Sequence, residues 1–119
     1  VLEVVNTIVF LGTGNLSNTG SFYRDLIGLE LFRDQGKCQI FFTAGGGMIG
    51  FCDHLQVNPG ENNPIITLLT EEVDEFYEKL TELGFECTEP IVNEKFNIYH
   101  FFTKDPDGYR LEIQRFLDR

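Results

Sequence analysis

Glu112 sits at the centre of Arg110-Leu111-Glu112-Ile113-Gln114, where Leu111 and Ile113, with Tyr109 before them, alternate with Arg110, Glu112 and Gln114. Strand side chains alternate between faces, so one face here is apolar and the other carries a cation, a carboxylate and an amide. Such a carboxylate either faces solvent or points into a pocket, where it can hold a cation or act as a general base. His100, within the aromatic run Tyr99 to Phe102, is the titratable group best placed to partner it; a packed sheet histidine is the plainer reading. Cys52 and His54 are two residues apart and can share a face. With Glu112 they would make an atypical Cys/His/Glu donor set, against the plainer reading of a strand-end histidine and a cysteine packed as a small apolar residue. Asp105 and Asp107 lack the other ligands of a calcium loop and read as turn residues. Phe51 and Phe102, with Phe41, Phe42 and Phe101, offer aromatic walls to a core on one sheet face and to a flat ligand on the other.

These side chains are useful only if strands hold them. Phe101 to Phe116 reads as a hairpin closed by the turn Asp105-Pro106-Asp107-Gly108. Upstream, Asn6 to Leu11 reads as a strand, and Phe22, Tyr23, Leu26 and Ile27 form a helical face with capping candidates at Ser17, Asn18 and Thr19 and a stop at Gly28. Leu29 to Arg33, Cys38 to Thr43 and Met48 to Asp53 follow as strands. After the linker-like Asn58 to Pro64 the order returns: a strand at Ile65 to Leu69, an amphipathic helix at Glu71 to Leu83 stopped by Gly84, then strands at Phe85 to Thr88, Phe96 to Thr103 and Tyr109 to Phe116. Local sequence repeats too: Phe22-Tyr23-x-x-Leu26 returns as Phe76-Tyr77-x-x-Leu80, and Phe41-Phe42-Thr43 as Phe101-Phe102-Thr103. The expectation is an α+β fold of two tandem β-α-β-β-β modules, about 1–57 and 65–119, forming a curved mixed sheet with helices on its convex side, in a single domain over 1–119.

The tandem unit, with Phe22-Tyr23-Arg24-Asp25-Leu26-Ile27-Gly28-Leu29-Glu30 in one half and Asp105-Pro106-Asp107-Gly108 before Leu111-Glu112-Ile113 in the other, resembles the vicinal oxygen chelate superfamily. That superfamily includes glyoxalase I, extradiol dioxygenases and bleomycin-resistance proteins, so the resemblance implies a fold and not one reaction. It places Glu112 at the last-strand position where metal-dependent members carry a carboxylate ligand. Its other positions fall within Asn6 to Ile8, near Pro64 to Ile66, and at Phe51 or Cys52, none with a histidine. A single carboxylate, even with a weak oxygen from Asn6 or Thr7 and a Cys52 thiolate, is a poor site for a divalent ion. The resemblance also implies a homodimer.

The formal charge of −10 disfavours nucleic acid and anionic membrane surfaces as partners and mildly favours cationic or neutral ligands. Cys38, Cys52 and Cys87 are odd in number without CxxC spacing, so no disulfide is expected. With no leader pattern and no apolar run near the roughly 18 residues of a membrane span, a reducing cytoplasm is the simplest compartment. The expected function is binding of a small cationic or aromatic molecule in a concave cup by Glu112, Arg110, Phe51, Cys52, His100 and Phe102, with no metal or other cofactor. The alternative is a lyase, isomerase or dioxygenase that uses substituted metal ligands or Glu112 itself as the base.

Overall fold

The computed structural model describes residues 2–60 and 64–118, and the chain divides into two compact units, Val1–Asn58 and Pro59–Arg119. Part of the expected linker, residues 61–63, lies outside the described residues.

In the first unit the order is β1 (Val9–Gly12), α1 (Leu16–Ser21) continuing as a π-helical stretch (Phe22–Ile27), β2 (Glu30–Asp34), β3 (Cys38–Phe42) and β4 (Met48–Cys52). The sheet runs β1-β4-β3-β2, with β1 parallel to β4 and the other pairs antiparallel. The helix starts earlier than expected because Asn15 is its cap: the Asn15 side chain accepts from the Asn18 N–H at 2.9 Å. It ends at Gly28, whose φ of 90° lies in the left-handed region. The wider π turn brings Phe22, Tyr23 and Ile27 inward, and Tyr23 stacks on Phe51 at 4.5 Å while meeting Phe41 at 6.3 Å. Those aromatics are completely buried, each stabilising the fold by about 1.5–3 kcal/mol. Strand alternation then sends Cys38, Ile40, Gly50 and Cys52 to the opposite face, where the Phe10 ring lies directly over Gly50. The first strand covers Val9–Gly12 rather than Asn6–Leu11 because its parallel register, Val9 with Ile49 to Gly12 with Cys52, is set by β4.

The second unit repeats the plan: β5 (Ile66–Leu69), α2 (Val73–Glu82), β6 (Ile91–Asn93), β7 (Ile98–Lys104) and β8 (Arg110–Phe116), in the sheet order β5-β8-β7-β6 with β5 parallel to β8. Val73 and Leu80 of α2 are buried, and Tyr77 meets Phe101 edge-on at 5.5 Å. Gly84 at φ 92° ends the helix region as expected. One strand is displaced: Phe85 to Thr88 is not a strand and touches β7 through Thr88 and the Glu86 carbonyl, while pairing resumes at Ile91. Pro90 lies between, and its lack of an N–H interrupts a ladder. The chain therefore has two four-stranded mixed sheets, each with its own helical segment, in the expected α+β class. No helix among the described residues is long and apolar enough to cross a membrane.

The cysteines depart from expectation. Cys38 and Cys52 stand directly opposite each other on β3 and β4, with Cα atoms 4.1 Å apart, and form a disulfide. The Asp53 N–H donates to the Lys37 carbonyl at 2.8 Å, which makes the neighbouring Cys38/Cys52 pair a non-hydrogen-bonded one, where side chains approach most closely. The odd count concealed this pair, since Cys87 keeps a free thiol. The case for a reducing compartment from cysteine usage thus loses its premise.

Candidate functional site

On β8, Leu111 and Ile113 are completely buried, so alternation turns Arg110, Glu112, Gln114 and Phe116 to the other face of the second sheet. β7 adds Ile98, His100, Phe102 and Lys104, with His100 opposite Gln114 and Phe102 opposite Glu112. β5 lies on the other side of β8 and sets Thr67 beside Glu112.

The three strands converge on one carboxylate. Thr67 Oγ1 donates to Glu112 Oε1 at 2.8 Å, and His100 Nδ1 lies 2.6 Å from Glu112 Oε2. Glu112 is 9 % and His100 7 % exposed. Burial pushes the Glu112 carboxyl up, but hydrogen bonds from His100, Thr67 and Gln114 outweigh it and hold the group below its ordinary value. With Nδ1 spent on Glu112, His100 Nε2 has no hydrogen bond among the described residues. The imidazole ring is also fixed edge-on against Phe102 at 5.1 Å.

In front of this pair is a cavity of about 570 Å³, whose walls include Phe96, Ile98, Phe102 and Phe116 around His100, Glu112 and Gln114. That volume suits a small organic ligand, and the balance of apolar wall to a few convergent polar atoms is that of a ligand site. A second hollow of about 550 Å³ shares Phe102 and is lined further by Glu86, Cys87, Thr88, Lys104 and Arg110.

Glu112, His100 and Phe102 of the expected residues thus meet around one cavity, and Arg110 lines its neighbour. Arg110 is not the partner of Glu112: it pairs across strands with Lys104, and His100 and Thr67 take both carboxylate oxygens. Phe51 does not line a cup, because it faces the helix with no exposed surface and stacks on Tyr23. Cys52 is held in the disulfide, and the donor cluster at Cys52 and His54 is completed by Cys38. Thr67, Gln114, Phe96 and Phe116 were missed. Gln114 was visible in the same alternation as Glu112, whereas Thr67 depends on a parallel register that no local pattern reveals.

Around the Glu112 carboxylate, the usual metal-ligating side chains among the described residues are limited to His100. The two carboxylate oxygens already accept hydrogen bonds, the strand neighbour of Glu112 is a hydroxyl, and among the described residues Cys38, Cys52 and His54 are the group of three whose donor atoms lie close enough to hold an ion.

Comparison with known proteins agrees with this architecture. No curated protein matches the sequence. Among solved structures, TnmS3, an antibiotic binding protein from a Streptomyces species, is similar at a TM-score of 0.79 and 20% identity, covering 97% of this chain and 98% of its own. A bleomycin resistance determinant encoded on the transposon Tn5 is similar at 0.72 and 18%, covering 95% and 98%. Lactoylglutathione lyase from Agrobacterium tumefaciens is similar at 0.68 and 19%, covering 95% and 92%. These likenesses bear on the fold. The model of the Glyoxalase/Bleomycin resistance protein/Dioxygenase superfamily matches residues 5–113, and the chain belongs to that superfamily.

Proposed function

We propose that this protein binds a small molecule with a flat or apolar body in the cavity before β7 and β8, without a divalent metal at Glu112. The observation that carries this reading is the arrangement at Glu112: both oxygens are committed to neighbours, while His100, whose Nε2 has no hydrogen bond among the described residues, lines the cavity together with Phe96, Phe102 and Phe116. In neutral imidazole Nε2 accepts, so it suits an N–H or O–H of the ligand, and the Glu112 charge behind it favours a protonated amine. The formal charge of −10 steers the same kind of ligand. The similarity to an antibiotic binding protein supports a small-molecule ligand. A homodimer and a cytoplasmic setting belong to the same proposal.

Thermal-shift screening of aromatic amines against wild type and His100→Leu tests it. Ligands should raise Tm in the wild type, and the rise should shrink in the variant. An equivalent of Zn, Ni, Fe or Mn in protein purified without added metal, lost in Glu112→Gln, overturns the metal-free reading.

One observation favours a second reading. A carboxylate that holds one ring nitrogen of a histidine lining a cavity is the arrangement of a general base, with His100 and not Glu112 taking the proton. Solvent deuterium appearing at an acidic C–H of a bound ligand, and ceasing in His100→Gln, would establish it.

A further inference from the structure

The first unit contains a donor cluster that the cavity before Glu112 does not use. Cys38 Sγ, Cys52 Sγ and a ring nitrogen of His54 all lie within 4.8 Å of one another, with His54 Nδ1 at 4.0 Å from Cys38 Sγ. Two thiolates and an imidazole are the donors that soft and borderline cations select over calcium or magnesium. A tetrahedral zinc ion, with bonds of about 2.3 Å to sulfur and 2.0–2.1 Å to nitrogen, needs donors roughly 3.5 Å apart. The cluster reaches that scale when the sulfurs part and the His54 ring, within 4.8 Å of them, moves closer. Its backbone is already fixed: Cys38 and Cys52 are opposed on paired strands, so rotation about χ1 alone parts the sulfurs, and His54 follows Cys52 by two residues. The cysteines are buried, at 8 % and 2 % exposure, while His54 is exposed and gives an ion its way in.

We propose that reduced Cys38 and Cys52 form, with His54, a three-donor site for Zn²⁺, with a fourth position left for water or a small ligand, and that the Cys38–Cys52 disulfide is its closed, metal-free state. The two states exclude each other because both sulfurs take part in each. A dithiol reductant breaks the Sγ–Sγ bond, giving up two electrons and two protons and becoming a disulfide itself. Zn²⁺ then replaces the two thiol protons, which leave to solvent. Oxidation of the two thiolates by a disulfide of the same class reverses the sequence and expels the ion.

The full chain, reduced and freed of reductant without oxygen, is titrated with Zn²⁺ against a chromophoric chelator, alongside the oxidised chain. The reduced protein should take up one Zn²⁺ per chain and the oxidised protein none, while thiol titration counts three thiols in the first and the Cys87 thiol alone in the second. Cys38→Ser and Cys52→Ser should abolish uptake. His54→Ala, at an exposed position where the fold is not at risk, should weaken it by about tenfold or more. Co²⁺ should give a thiolate charge-transfer band in the reduced wild type that Cys87→Ser retains and Cys38→Ser loses. Absence of uptake by the reduced protein, or uptake that survives unchanged in the Cys38→Ser/Cys52→Ser chain, overturns the proposal.

Discussion

At Glu112 two opposed influences meet, and their balance has a measurable sign. Burial pushes the carboxyl up, while hydrogen bonds from His100, Thr67 and Gln114 pull it down and prevail. Because the folded pKa is depressed, the ionised group adds stability above the unfolded carboxylate value of about 4.3. That stability is lost as pH falls through the lower folded value. Glu112→Gln should therefore lower stability near neutrality and flatten the loss on acidification, measured by urea unfolding across that range. A variant whose pH profile runs parallel to the wild type would refute the assignment. Thr67→Val, which removes one neutral donor to Glu112, should cost about 1 kcal/mol in the same assay at neutral pH and leave less of the acid-dependent part. Glu112 and His100 were legible in the sequence because a charge or an imidazole in an alternating strand stands out. Phe51 was not legible: alternation demands aromatics on both faces, and only the packing of Tyr23 decides that Phe51 belongs to the core.

Elements rather than residues decide where the sequence could be read and where it could not. Both helical segments were visible through their apolar stripes and glycine stops, since those signals are local. The π stretch, the displaced β6 and the facing cysteines were not, because each depends on partners distant in sequence or on an interrupted ladder. Gly12 illustrates such a hidden constraint. At the end of β1, a Cβ on Gly12 would come 2.3 Å from the Gln56 carbonyl oxygen and 2.5 Å from that of Leu55, both backbone atoms that cannot swing aside. Gly45, in the loop between β3 and β4, has only Thr43 Oγ1 at 4.0 Å. Gly12→Ala should destabilise by about 1–3 kcal/mol. Gly45→Ala should stay within about 0.5 kcal/mol. Thermal unfolding of the two variants checks this, and equal shifts would mean that the β1 end gives way more easily than its surroundings indicate.

For the molecule as a whole, the doubled sequence pattern announced the doubled topology, since each half repeats both its helix motif and its strand order. What a doubled pattern does not specify is the association of chains, and the surface bears on that. β2 is an edge of its sheet, every residue of Glu30–Asp34 is exposed, and Leu31 and Phe32 show 37 % and 45 % of their surfaces. Unpaired edge groups beside apolar side chains invite pairing with another strand, and a two-fold dimer is the simplest closed way to cover them. The charge of −10 opposes that association through like-charge repulsion, which salt screens. Light scattering should therefore give twice the chain's 13.6 kDa, with the dimer strengthening as salt is raised. Replacing Leu31 and Phe32 by lysine should return it to the monomer mass without loss of secondary structure. A wild type that stays at 13.6 kDa at every salt concentration would end the dimer proposal, whereas a lysine variant that remains dimeric would move the interface away from β2.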